Sequence, residues 1–245
     1  MSNDQLRLHG SDAVATVDLD GGRLSSLIIS GIEVLVAAGD RPTRWGSFPM
    51  VPWCGRLRDG RLRFDGHTHE FPLTSPPHAN HGLCHTARWT QTATDAISID
   101  LPEPWPFGGS VTQRFELLGD ALTVSISVAA DGMAMPAMAG WHPWFVRQLE
   151  RDGAPFGGAA ELTVVGGRVA EHDAVGLPTG RFIDVPPEPW DRSFVGLAAD
   201  PVIEWSDALR LTVSSTFDTW VIFTEPEHAL CVEPQSGLPD DLNRD

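Results

Sequence analysis

Glycine and proline constrain this chain more than any other feature. The 24 Gly and 20 Pro are spread along all 245 residues, and few stretches between them could carry a helix of more than about ten residues. What remains reads as strands. Ala13 to Leu19, Ala121 to Val128, Leu209 to Ser215 and Trp220 to Thr224 alternate in polarity, are rich in Val, Ile, Thr, Phe or Trp, and end at turn formers. Ser25 to Ile29 ahead of Gly31, Arg61 to Phe64 ahead of Asp65-Gly66, and Ala160 to Val165 ahead of Gly166-Gly167 read as strands running into hairpin-like turns. With no segment suited to a crossover helix, the expected fold class is all-β, an antiparallel sandwich or barrel. Chains of this length form single all-β cores, so residues 1–245 are expected to make one domain; the Pro-rich stretch Val185 to Trp190 is the best linker candidate.

Composition narrows the partners. Lys+Arg 17 against Asp+Glu 33 gives a formal net charge of -16, which repels a phosphate backbone and an anionic membrane surface. The expected partner is therefore a small neutral molecule, with no nucleic acid and no membrane. No run of about 18 apolar residues occurs, and Met1 to Gly10 lacks a secretory pattern, so a cytoplasmic location is expected. The three cysteines, Cys54, Cys84 and Cys231, are too few and too widely spaced for a disulfide framework or a paired zinc motif, and are read as reduced thiols. There is no Tyr, so aromatic stacking on a ligand falls to the Trp, Phe and His side chains.

Two titratable residues lie in segments too apolar to carry them without cause. His142 sits in Ala139-Gly140-Trp141-His142-Pro143-Trp144-Phe145, where an imidazole flanked by large rings can exchange a proton near neutral pH; a core histidine bonded to backbone is the competing reading. Glu233 closes the apolar run Ala229-Leu230-Cys231-Val232 just before a Pro-Gln-Ser-Gly-Leu-Pro loop. There burial raises a carboxylate toward the range of a useful base; a solvated turn carboxylate is the alternative. His67 and His69 share one face of a strand at two-residue spacing, a pattern open to a metal. They flank an Asp65-Gly66 turn where exposed polar residues are expected anyway, so no metal is expected. No Gly-x-Ser-x-Gly elbow and no phosphate-binding Gly-rich loop occurs, Gly108-Gly109, Gly157-Gly158 and Gly166-Gly167 being read as turns; no cofactor is expected either.

The order of these segments resembles the aldose 1-epimerase (galactose mutarotase) family. Pro49-Met50-Val51-Pro52-Trp53-Cys54-Gly55-Arg56-Leu57 with Gly60 is similar to the family's early Asn-Arg motif, Asn80-His81-Gly82-Leu83 to its His-Gly segment, and Gly140-Trp141-His142-Pro143-Trp144-Phe145 to its Gly-x-His motif. Cys231 to Asp240 resembles the closing Glu-Pro-x-(Ser/Thr)-Gly-x-Pro-Asp segment, and Pro189 to Phe194 the less specific Asp-x-x-Phe segment. The resemblance implies a large β-sandwich of the supersandwich type with a site on the concave face of one sheet. It further implies His142 as general acid, Glu233 as general base, Arg56, His81 and Asp191 as sugar-binding residues, and a hexose as the small-molecule partner of a monomer or homodimer.

The chain departs from the family pattern in three places. Gly55 replaces an Asn, Val221 stands where some members place a sugar-binding Gln, and Asp245 follows closely on the Glu-Pro segment, which implies a shortened carboxyl end. Two other functions on the same scaffold stay open: a hexose-6-phosphate mutarotase, for which Arg41, Arg44, Arg58, Arg88 and Arg147 are candidate phosphate contacts, and a non-catalytic carbohydrate-binding domain. A cupin-like enzyme using His67 and His69 is the third alternative.

Overall fold

The computed structural model describes residues 4–244 and is built almost wholly of antiparallel strands, as the punctuation by Gly and Pro requires. Among the described residues the helical segments are three single 3-10 turns, Arg58–Gly60, Cys84–Thr86 and Asp241–Asn243. No helix among them is long and apolar enough to cross a membrane.

A 12-stranded sheet forms the main layer. Its order runs Gln5–His9, Ala13–Asp18, Arg23–Ile29, Ser47–Met50, Gly140–Val146, Ala229–Gln235, Thr219–Phe223, Asp191–Trp205, Ala160–His172 and Pro178–Ile183, with Ile32–Glu33 and Leu209–Thr212 attached at its sides. A second sheet of four strands, Thr90–Ala93, Ala96–Asp100, Ser110–Leu118 and Ala121–Ala129, packs on one face of it. Strand Ser110–Leu118 shows the expected period of two, burying Val111, Gln113 and Phe115 and leaving Thr112 half-buried and Arg114 exposed between them. Gln113 ties the two layers together. Its amide donates to the Gly22 carbonyl at 2.8 Å and accepts from the Trp141 indole at 2.9 Å, so this buried polar side chain is satisfied at both ends. The main core is one buried cluster that includes Trp89, Trp105, Phe115, Phe145, Trp205 and Trp220.

Most expected strands are present with shifted ends, and two readings need correction. Leu209 begins a strand that stops at Thr212, three residues short of Ser215. Gly166-Gly167 is no hairpin turn. The strand that begins at Ala160 continues through it to His172, and the pairing with Asp191–Trp205 shifts register at Val165 and Gly166. Both glycines lie in the left-handed region, at φ 71° and 84°, and form a bulge that bends the long strand. The Pro-rich stretch from Val185 joins two strands of the same sheet, Pro178–Ile183 and Asp191–Trp205.

A smaller apolar cluster, Phe48, Met50, Cys54, Met138, Trp144, Ala229 and Cys231, lies at the centre of the large sheet on the face away from the four-stranded layer. It lies beneath the candidate site, where Phe48 packs on His142 and Met50 on His81.

Candidate active site

Two adjacent central strands bring the acid and base candidates together. Gly140–Val146 and Ala229–Gln235 are antiparallel, with Gly140 opposite Gln235 and Trp144 opposite Cys231. That register sets His142 opposite Glu233, and His142 Nε2 lies 3.3 Å from Glu233 Oε1. Both are buried, at 6% and 2% exposure. Glu233 is not at a strand end, as the apolar run suggested; the strand carries on to Gln235 and is buried at every position.

The rings around His142 hold it in place. Phe48, its partner on strand Ser47–Met50, stacks at 4.8 Å, Trp144 stacks at 5.3 Å with planes 6° apart, and His81 meets it edge-on at 5.2 Å. In this dry setting burial pushes the Glu233 carboxyl well above the usual carboxylate range, with nearby Asp191 adding to the shift while Gln235 and Arg56 oppose it. The same burial pushes His142 below its ordinary value. The two shifts oppose one another in sign, each favouring the neutral form of its group.

His81 reaches the cavity on a strained turn. It adopts φ 63°, Gly82 follows at 71°, and a Cβ on Gly82 would lie 2.1 Å from the Val51 carbonyl oxygen, so only glycine fits beside that backbone. The His81 imidazole sits 3.0 Å from Met50 Sδ, and burial, together with His142, His85 and Arg56, keeps it neutral. Arg56 donates to the Gly176 carbonyl at 3.3 Å and faces Asp191 Oδ2 at 3.7 Å, on the half-exposed side of the cavity.

Arg56, His81, His142, Asp191 and Glu233 all line one cavity of about 580 Å³, within the size range of small-molecule sites (roughly 300–1,000 Å³). A larger opening of about 940 Å³, between the layers and lined largely by Leu, Ile, Val and Phe, carries no such acid–base pair. Of the five arginines considered for a phosphate, only Arg44 lines the smaller cavity. Arg58 is engaged by Asp173 and Asp240, Arg88 by Asp4 and Asp20, and Arg147 by the Pro226 and Thr224 carbonyls.

Of the three departures from the family pattern, Gly55 and Val221 have visible settings, and the third, the carboxyl end at Asp245, lies outside the described residues. A Cβ at Gly55 would sit 3.0 Å from Pro239 Cγ, and Gly55 itself is left-handed at φ 60°. Val221 pairs with Glu233 across the sheet and lines the cavity, placing an apolar wall beside the carboxyl.

His67 and His69 lie in the outlying hairpin strand His67–Glu70, their rings 6.4 Å apart and away from the cavity. Among the described residues, His142, Cys231 and Glu233 are the group whose donor atoms fall within 4.8 Å of one another. Burial raises the Cys231 thiol, so it would have to give up its proton to ligate a metal.

Several lining residues were not singled out from sequence: Asn80, Trp144, His172, Ser193, His228 and Gln235. Gln235 was the most accessible of these. It lies two positions after Glu233, and alternation along a strand puts both side chains on one face. His172 lies 3.4 Å from Ser193 Oγ, a contact between distant segments that no local pattern announces.

Comparison with known proteins bears on the family and the fold. A sequence profile of the aldose 1-epimerase family matches residues 4–245. The Escherichia coli (strain K12) protein YphB, itself uncharacterized, is 27% identical over 151 residues, which is 59% of this chain and 50% of that protein; the match thus spans half of the relative's length. A galactose mutarotase-like protein from Clostridium acetobutylicum superposes with a TM-score of 0.80 at 18% identity, over 97% of this chain and 86% of that one. Another, from Lactobacillus casei, gives 0.74 at 20% identity over 96% and 88%. These superpositions show a shared galactose mutarotase-like β-sandwich fold, and with the profile covering nearly every residue, the chain belongs to the aldose 1-epimerase family.

Proposed function

We propose that the protein interconverts the α and β anomers of an aldose, with Glu233 as general base and His142 as general acid. The observation that carries this reading is the 3.3 Å approach of His142 Nε2 to Glu233 Oε1 at the floor of a polar cavity. The two oxygens that must lose and gain a proton, the C1 hydroxyl and the ring oxygen, are both bonded to C1, so the acid and base that serve them must be close neighbours.

In the productive form the proton of the pair resides on His142. Glu233 takes the proton of the C1 hydroxyl, the bond between C1 and the ring oxygen breaks with its electrons passing to that oxygen, and His142 protonates it. The open-chain aldehyde turns about the bond from C1 to C2 and recloses by the reverse transfers. The pair ends with the proton it began with, so no cofactor or outside proton is consumed. Arg56, His81 and Asp191, on the cavity walls, orient the remaining hydroxyls.

Polarimetry of freshly dissolved galactose, glucose and other aldoses tests the reading. Glu233→Gln and His142→Ala should each slow mutarotation on the order of 10²–10⁴-fold. Unchanged rates in both variants for every sugar would end it, and sugar binding without turnover would instead support a carbohydrate-binding domain. Arg44 at the cavity wall favours one second reading, an aldose bearing an acidic group. Glucose 6-phosphate belongs in the same panel, and a strong preference for it would establish that alternative.

A further inference from the structure

Gln235 is a buried polar side chain that the proton exchange leaves unused. It is 1% exposed and closes strand Ala229–Gln235, on the same face as Glu233. Its amide Nε2 donates to Glu233 Oε2 at 3.2 Å, while Oε1 of the same carboxyl faces His142. The two carboxyl oxygens thus have separate partners, one held by the wall and one turned to the imidazole.

The other end of the amide is poorly served. Gln235 Oε1 is buried with no hydrogen-bond partner. An orphaned acceptor destabilises a fold relative to an apolar side chain of similar shape, so packing alone would favour Met at this position. What Gln supplies, and Met cannot, is an N–H aimed at the carboxylate.

From this geometry we infer that Gln235 is a positioning residue: its N–H grips Glu233 Oε2 and favours the ionised carboxyl over the protonated one, with Oε1 left turned toward His142 and the cavity. What the carboxylate does next rests on the mutarotase reading; the link between amide and carboxylate does not. Donation to a carboxylate stabilises its charged form, so losing the donor raises the pH at which Glu233 ionises. The other groups facing Glu233 are His142 on the neighbouring strand, Asp191 across the cavity, Arg56 on the wall, and the thiols of Cys54 and Cys231, both held protonated by burial. None of these changes when Gln235 is replaced.

The test uses the full chain with Gln235→Met and Gln235→Asn, the second keeping an amide that is too short to reach. Difference infrared spectroscopy follows ionisation of the Glu233 carboxyl, its band assigned with Glu233→Gln, and polarimetry gives kcat and KM across pH. Both variants should ionise about one pH unit higher, a tenfold change in proton affinity. The acid limb of the rate profile should move with them, with KM within about twofold and rates recovering above the limb. The melting temperature of Gln235→Met should not fall.

An unmoved carboxyl titration would overturn the inference, as would a loss of rate uniform across pH together with a lowered melting temperature. Should Gln235→Met fail to fold, Gln235→Asn carries both measurements. If the parent protein turns over no aldose, the mutarotase reading falls, and the infrared titration still decides what Gln235 does.

Discussion

Burial acts in opposite directions on the two members of the His142–Glu233 pair, and stability should record it. Glu233 is raised in the folded protein, so the fold binds its proton more tightly than the unfolded chain does. That contribution is present below the unfolded value of about 4.3 and is lost as pH rises through the folded value. His142 is lowered, so its contribution is present above the unfolded value of about 6.5 and is lost as pH falls toward the folded value. Glu233→Gln removes the first of these costs while keeping the shape. Its melting temperature should match the parent's near pH 4 and exceed it at pH 8. Each unit of elevation corresponds to about 1.4 kcal/mol, and each kcal/mol to roughly 2–4 °C in a chain of this size. Thermal unfolding at the two pH values measures it, and a variant no more stable than the parent at pH 8 would contradict the account. The turnover profile should be bell-shaped, because the productive pair carries one proton: too acid a medium fills both sites and too basic a one empties both. At this scale the sequence was readable where a titratable group interrupts an apolar run, as His142 and Glu233 do. Gln235 escaped because an amide before Ser-Gly looks like the start of a loop, and His172 because its neighbour Ser193 is 21 residues away.

Between residue and molecule stand the central strands, where local rules are broken. Pro49, Pro143 and Pro234 lie on three neighbouring central strands, although proline cannot donate to a ladder and ordinarily keeps to edges. Pro143 and Pro234 adjoin the cavity residues His142 and Glu233, and Pro49 adjoins Phe48, which stacks on His142. Such departures gather where function overrides propensity. Strand positions were legible because alternation and turn formers are local signals. The Gly166-Gly167 bulge was not, since a left-handed glycine pair serves a bulge as well as a turn, and only pairing with the distant strand Asp191–Trp205 distinguishes them. The His81-Gly82 turn offers a test at the level of the element. A Cβ on Gly82 would collide with the Val51 carbonyl and displace His81, together with strand Ala79–Asn80 that pairs with Arg56–Leu57. Gly82→Ala should cost on the order of 2–4 kcal/mol and raise KM more than it lowers kcat, because the hydroxyl-orienting wall moves while the acid and base stay. Gly31→Ala is the control. It shares the left-handed backbone but has nothing within 4 Å, so it should cost only about 1 kcal/mol. Equal losses in the two variants, read by denaturant unfolding, would show that the contact with Val51 is not what fixes the turn.

The charge of the whole molecule bears on which sugar reaches that cavity. A formal charge of -16 surrounds an approaching ligand with a repulsive field whose range is the Debye length, about 10 Å at 0.1 M salt and about 30 Å at 0.01 M. A neutral aldose does not feel it. Its kcat/KM should therefore vary less than about twofold between 0.01 M and 0.5 M salt. A sugar phosphate must cross the field before it meets Arg44 or Arg56, the arginines lining the cavity, and Arg56 already faces Asp191 at 3.7 Å. Any turnover of glucose 6-phosphate should then be slower than that of glucose at low salt and should rise as salt screens the repulsion. A local cation dominating the encounter would produce the reverse, a rate for the phosphate that falls with added salt. The sign of that slope separates the two substrate classes even if both sugars turn over, because it reports the net charge sensed on approach rather than the fit within the cavity. Initial rates for glucose and glucose 6-phosphate, at four or five ionic strengths and one pH, suffice to read it.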